Sequence, residues 1–253
     1  KKVEAKAVNW YEFLATMVLY DVFTDLVDSE YLTVPNISLR DGILAVLIEQ
    51  AYDLNRYKHF NNDIYHLAYE ISKRYKSSES HIKNIEHNAF MLFEGLKKTF
   101  SFNERDEMLL RLSAILHEIG KYTRMRDYLI TSYEKLSSMD IFGVKHNEML
   151  IIAHICRLIS SSETKLYQLP PNNLTEDEQI RVFKLASIQS ISDSLDKGKK
   201  QRIEVIDTVI NDDYFFINVK RHSETILEDW SFEFTIDNFA NTFGIIPEIK
   251  DVD

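Results

Sequence analysis

Cysteine is nearly absent from this 253-residue chain, and proline and glycine are scarce, with one Cys, 4 Pro and 6 Gly. The lone Cys156 has no partner for an intramolecular disulfide, so a reducing cytoplasm is the expected setting. With so few Gly and Pro there is little material for long loops or linkers, which favours long helices. No run approaches the roughly 18–20 apolar residues of a membrane span, since the longest early stretch, from Phe13 to Tyr20, is short and flanked by acids. Neither a signal peptide nor a span is expected. Positive charge is also in deficit. The 30 Lys and Arg stand against 40 Asp and Glu, and the net charge of −10 excludes broad attraction to nucleic acid or anionic lipid. A polyanion would have to be met by a local basic patch.

What the chain does have is apolar material, with 45% hydrophobic and 12% aromatic residues, enough to oppose chain entropy and bury a sizeable core. Residues 8–28 repeat Val, Phe, Leu and Met at near-helical spacing, and Tyr31–Val34 reads as a short strand before Pro35. A lone helix and one strand make no domain, so residues 1–45 are expected to be the tail of a larger fold. Amphipathic helices are expected at 63–75, 80–99, 104–119, 147–160 and 175–196, within a helical domain over 46–200. Thr175-Glu-Asp-Glu178 fits a capped N-terminus with acids in its first turn. After Lys200 the pattern changes to β-branched and aromatic runs, Ile203–Ile210 and Tyr214–Lys220, separated by Asn211-Asp212-Asp213. That spacing predicts a hairpin, followed by a helix within 224–243 and a strand at 245–249. The fold class read from this pattern is mainly α, with a small α+β part over 201–253.

The chemistry-bearing residues follow the order His, His-carboxylate, Asp. His81 lies near the start of one expected helix, where it shares a face with Asn84 and Asn88 while His87 points roughly opposite. His117 and Glu118 end the apolar run Leu109–Leu116, and Asp193 lies in Ser190–Asp196. Imidazole nitrogen and carboxylate oxygen suit a divalent cation such as Mn or Mg, which can polarise a phosphoryl oxygen or lower the pKa of bound water. Glu118 stands where such metallohydrolases usually carry Asp, one methylene further from the backbone. The four residues are therefore either an occupied site or a remnant of one. His146 and His154 lie in the right region for further ligands, though His154 reads as a core residue. Two basic clusters could meet phosphate: Lys121, Arg124 and Arg126 after the His-Glu pair, and Lys197, Lys199, Lys200 and Arg202 after Asp193. Solubility and helix-dipole complementation account for such clusters equally well.

With these residues in view, the chain resembles the C-terminal part of the exopolyphosphatase and guanosine pentaphosphatase family. The segment from Tyr31 to Leu44 is similar to the strand, turn and Leu-Arg-x-Gly stretch that closes that family's phosphatase domain. His81, His117-Glu118-Ile119-Gly120 and Ser192-Asp193-Ser194-Leu195-Asp196 are similar to the motifs of its HD-type helical domain, and Met139–Gly143 is similar to its Ser-Asp-Leu-x-Gly turn. The chain departs from the family where Tyr128–Ser132 replaces a histidine-rich stretch and Arg157-Leu158-Ile159 replaces Arg-Tyr-His. The resemblance implies that phosphoanhydride hydrolysis belongs to an actin-like N-terminal domain with glycine-rich phosphate loops, upstream of Lys1. It implies no catalytic residue in this chain, and a role in binding polyphosphate or a guanosine polyphosphate and in homodimer contact. Two other readings stay open, a self-sufficient metal-dependent phosphohydrolase and a purely structural dimerisation or regulatory domain.

Overall fold

A computed structural model describes residues 10–27, 42–44, 47–48, 56–159 and 174–252. The strand expected at residues 31–34, the turn after it and the segment at 170–173 lie outside the described residues. The chain divides into two compact units, Lys1–Tyr57 and Lys58–Asp253. In the first, helix α1 spans Trp10–Val27 and carries apolar residues around its whole circumference. No helix among the described residues is long and apolar enough to cross a membrane.

Helix α2, Arg56–Arg74, leads into the second unit, where α3 (Glu79–Lys97), α4 (Glu104–Leu116), α5 (Tyr128–Ser137), α6 (His146–Leu158) and α7 (Glu176–Ser194) follow. Strands β1 (Ile203–Asn211) and β2 (Tyr214–Arg221), helix α8 (Ile226–Phe243) and strand β3 (Ile246–Asp251) complete it. The architecture is mainly α with a small α+β C-terminal part. Capping fixes two of the helix starts. Asn103 and Asp106 form a reciprocal capping box at α4, and Thr175 and Glu178 form another at α7, where three acids face the positive end of the helix dipole.

Helix α4 occupies the middle of the bundle because its sequence is apolar on nearly every side. Met108, Leu109, Leu110, Leu112, Ala114, Ile115 and Leu116 are all buried, so neighbours must cover it all round. The polar Ser113 is satisfied internally, donating to the Leu110 carbonyl and lying 3.1 Å from Gln189 Oε1 on α7. Cys156 is buried in the same core, and desolvation raises its thiol pKa. One helix escaped the sequence pattern. Tyr128–Ser137 forms α5, entered through Asp127 in a left-handed conformation (φ 58°).

The sheet has order β1-β2-β3, with β1 and β2 antiparallel and β3 parallel to β2 through the α8 crossover. The hairpin turn falls at Asp212, whose φ of 51° is the left-handed conformation that Asp and Asn tolerate best. Ile203, Val205, Phe215, Ile217 and Val219 belong to the same apolar core as the helices, so the change in secondary structure near residue 200 is no break in packing. Phe215 stacks on Phe239 of α8 at 5.5 Å between centroids. On the other side α3 lies close against β1, and Gly95 permits it, since a Cβ there would stand 1.8 Å from Thr208 Oγ1. Asn88 on α3 is fully buried, accepting from the Val205 N–H at 3.0 Å and donating to the Ile203 carbonyl at 3.4 Å. His87, expected on the opposite face, also reaches β1, with Nε2 3.2 Å from the Val205 carbonyl. At about 100° per residue it lies some 120° from His81 around the helix, and the strand runs close enough to take both sides.

Candidate metal and phosphate centre

Three helix ends meet at one point. His81 comes from the first turn of α3, His117 and Glu118 follow the C-terminus of α4, and Asp193 lies in the last turn of α7. His81, His117 and Asp193 are buried, and each offers a ligand atom within 4.8 Å of the other two. His81 Nε2 is 4.0 Å from Asp193 Oδ1, and His117 Nε2 is 3.9 Å from the same oxygen.

Both imidazoles are held with the Nε2 lone pair turned into this space. His117 Nδ1 is 2.8 Å from the Ala114 carbonyl, which can only accept, so Nδ1 carries the hydrogen. Its Nε2 is buried and has no hydrogen-bond partner. His81 Nδ1 is 2.8 Å from Asp196 Oδ2, and Asp196 is itself fixed by the backbone N–H and side-chain amide of Gln201, at 2.7 and 3.1 Å. A carboxylate behind the far nitrogen of a histidine is the arrangement that orients imidazoles toward metals. Burial lowers the His117 pKa to about 4, against the pull of Glu118 and Asp193, so the ring is neutral at physiological pH. An orphaned buried nitrogen, two fixed tautomers and an N, N, O donor set fit a divalent cation that accepts imidazole, and they fit Mn better than Mg. His81, His117 and Asp193 would hold it.

The extra methylene of Glu118 does not carry its carboxylate away. Oε1 lies 3.4 Å from His81 Nε2 and 3.9 Å from His117 Nε2. The same oxygen accepts from both Lys121 Nζ and Lys199 Nζ. Lys197 Nζ donates to Asp193 Oδ2 at 3.1 Å. Three ammonium groups therefore converge on the two carboxylates beside the imidazoles. Burial pushes the Glu118 carboxyl up, but His117 and the hydrogen bonds from Lys121 and Lys199 outweigh it and bring the pKa down to about 2. Asp193 is likewise lowered, with burial opposed by Lys197 and the two histidines. Lys121 also lies over the Tyr128 ring, 4.1 Å from its centroid, at the start of the stretch where the chain departs from the resembled family.

The two basic clusters thus split. Lys121, Lys197 and Lys199 reach the centre, whereas Arg124, Arg126 and Lys200 are exposed on the surface and Arg202 donates to the Glu224 carbonyl at 2.9 Å. His154 is buried against Tyr133, 4.8 Å between ring centroids, and burial lowers its pKa to about 4; His146 is exposed at the start of α6. Neither joins the cluster. Asp196 was legible only as part of a motif, and its positioning of His81 was not.

The turn that sets His117 and Glu118 depends on Gly120. A Cβ there would stand 2.1 Å from the Tyr128 carbonyl oxygen and 2.6 Å from the Ser132 nitrogen. Ser132 Oγ closes the turn, accepting from the Gly120 N–H at 2.9 Å and donating to the His117 carbonyl at 2.6 Å.

A family model described as Ppx/GppA phosphatase, domain III, matches residues 67–232. That span is about two thirds of the chain and includes every residue of the centre, so the chain belongs to the Ppx/GppA phosphatase family. A comparison with curated proteins finds no match.

Proposed function

We propose that this chain binds condensed phosphate, polyphosphate or a guanosine polyphosphate, at the centre where Lys121, Lys197 and Lys199 meet His81, His117 and Asp193. The observation that carries the reading is the convergence of three ammonium groups on two buried carboxylates. Lys197 and Lys199 keep more than a third of their side-chain surface exposed, so phosphate oxygens can reach them from solvent. A divalent cation held by His81, His117 and Asp193 would neutralise phosphate charge and act as a Lewis acid. The lysines would then be shared between Glu118, Asp193 and the incoming phosphate oxygens. In the longer protein implied by the resemblance, the centre would hold a phosphate chain for a phosphatase domain elsewhere.

The test is tripolyphosphate binding by calorimetry across a salt series. Three ammonium–phosphate contacts predict a slope of log K against log salt of about −2, by analogy with single-stranded nucleic acid. Lys199→Gln should flatten that slope and weaken binding about tenfold, as expected for a lost charge-assisted bond. A salt-independent affinity, or none, would refute the reading. A second reading, an HD-type metal-dependent phosphohydrolase acting on its own, is favoured by the unpartnered His117 Nε2. Manganese-dependent phosphate release that disappears in His117→Ala would support it.

A further inference from the structure

Glu228 is a fully buried carboxylate outside the centre, in the first turn of α8. It stands three residues after Thr225, the spacing of a capping box, in which the acid would reach back to the N-cap backbone. It does not do so. The start of α8 has no side-chain cap, and Glu228 Oε1 accepts instead from the Gly198 N–H at 2.9 Å, in a turn 30 residues earlier in the chain. Its other oxygen has no hydrogen-bond partner. A buried carboxylate with one oxygen unpaired is costly to keep, and helix capping does not account for it.

The turn that Glu228 holds joins α7 to β1, and Gly198 lies in it between Lys197 and Lys199, two of the three ammonium groups of the centre. Lys199 and Gln201 have φ of 54° and 49°, a left-handed conformation that residues with a Cβ resist. Such backbone persists only where its surroundings fix it. Two fully buried carboxylates do so here: Asp196 Oδ1 accepts from the Gln201 N–H at 2.7 Å, and Glu228 holds the Gly198 N–H. The approach is so close that a Cβ at residue 198 would stand 2.6 Å from Glu228 Oε1. We propose that Glu228 is a positioning residue for the centre: through Gly198 it sets the turn that brings Lys199 Nζ to Glu118. The consequence for ligand affinity rests on the phosphate-binding reading above, whereas the placement of Lys199 stands without it.

The ligand-free experiment is acylation of the lysine amines with acetic anhydride, followed residue by residue by mass spectrometry. An Nζ bonded to Glu118 must leave it before it can react, so Lys199 should acylate about tenfold more slowly than the exposed Lys200, as expected for a charge-assisted bond. Glu228→Ala should bring Lys199 to the rate of Lys200. Glu228→Gln keeps an oxygen for the Gly198 N–H and should preserve the difference. In tripolyphosphate calorimetry Glu228→Ala should match Lys199→Gln, with binding about tenfold weaker and a salt slope about 0.7 shallower. The double variant should then be no worse than either single one. A thermal melt checks each fold. Should Glu228→Ala not fold, Gly198→Ala breaks the same bond from the other side, because its Cβ forces the carboxylate aside. Lys199 that stays protected in the folded variant, or loses protection equally in Glu228→Gln, would overturn the proposal. A wild-type chain without tripolyphosphate affinity would overturn the phosphate reading, and the acylation rates would still decide the role of Glu228.

Discussion

Replacing Asp196 with Asn would test whether His81 is oriented as a metal ligand. Asp196 Oδ1 accepts from the Gln201 backbone N–H at 2.7 Å, while Oδ2 faces His81 Nδ1 at 2.8 Å. In Asp196→Asn the single carbonyl oxygen can keep the backbone bond, which leaves the amide NH₂ facing His81. A donor there reverses the imidazole tautomer. Nε2 then carries the hydrogen and points it toward Glu118 Oε1, 3.4 Å away, in place of a lone pair. The substitution is nearly isosteric, and Asp196 is fully buried, so its volume is conserved where volume matters. Loss of such a supporting carboxylate costs about 10- to 100-fold in metal affinity, or roughly 1.4–2.8 kcal/mol. Calorimetric titration with Mn²⁺ reads the affinity, and denaturant unfolding of the apoprotein shows whether the fold survives. An Asp196→Asn protein of normal stability that binds Mn²⁺ within twofold of the wild type would refute the assignment of His81 as an Nε2 ligand.

Other perturbations reach different parts of the account. Gly120→Ala should destabilise the fold by about 2–3 kcal/mol in urea, because the new Cβ collides with backbone of α5 and cannot be relieved by a side-chain rotation. A fall of less than 0.5 kcal/mol would mean that the turn is slack. Acid should weaken the protein between about pH 6.5 and 4. His117 and His154 are both buried with folded pKa values near 4, below their unfolded values, so the unfolded chain binds more protons in that window and stability drops as pH falls through it. Each contributes on the order of 2–3 kcal/mol, and His154→Gln should remove its share of the slope. Mn²⁺ should raise the melting temperature of the wild type and leave His117→Ala unmoved.

How much of this was written in the sequence depends on which interactions are local. The start of α7 was legible because its capping residues act on one another within a few positions. His81, His117, Glu118 and Asp193 were legible as an ordered set because each sits at a helix end that such patterns locate. The hairpin was legible from its β-branched runs and the Asn-Asp-Asp turn. Helix α5 was missed because it is only 10 residues long and starts from a left-handed Asp127 that makes no side-chain cap. Within the basic clusters nothing local separates Lys121 and Lys199 from Arg124 and Lys200. Only the packing of α3, α4 and α7 decides which side chains meet the carboxylates. Asp196 was missed for a related reason, since its role depends on the tautomer of a histidine 115 residues away.

The most direct measurement is the manganese content of the purified chain after loading and desalting, read by mass spectrometry beside His117→Ala. The account predicts about one bound ion in the wild type and none in the variant. A wild-type chain that emerges without metal would contradict it, and would mean that the lysines at Glu118 and Asp193 have taken over the charge balance of the centre.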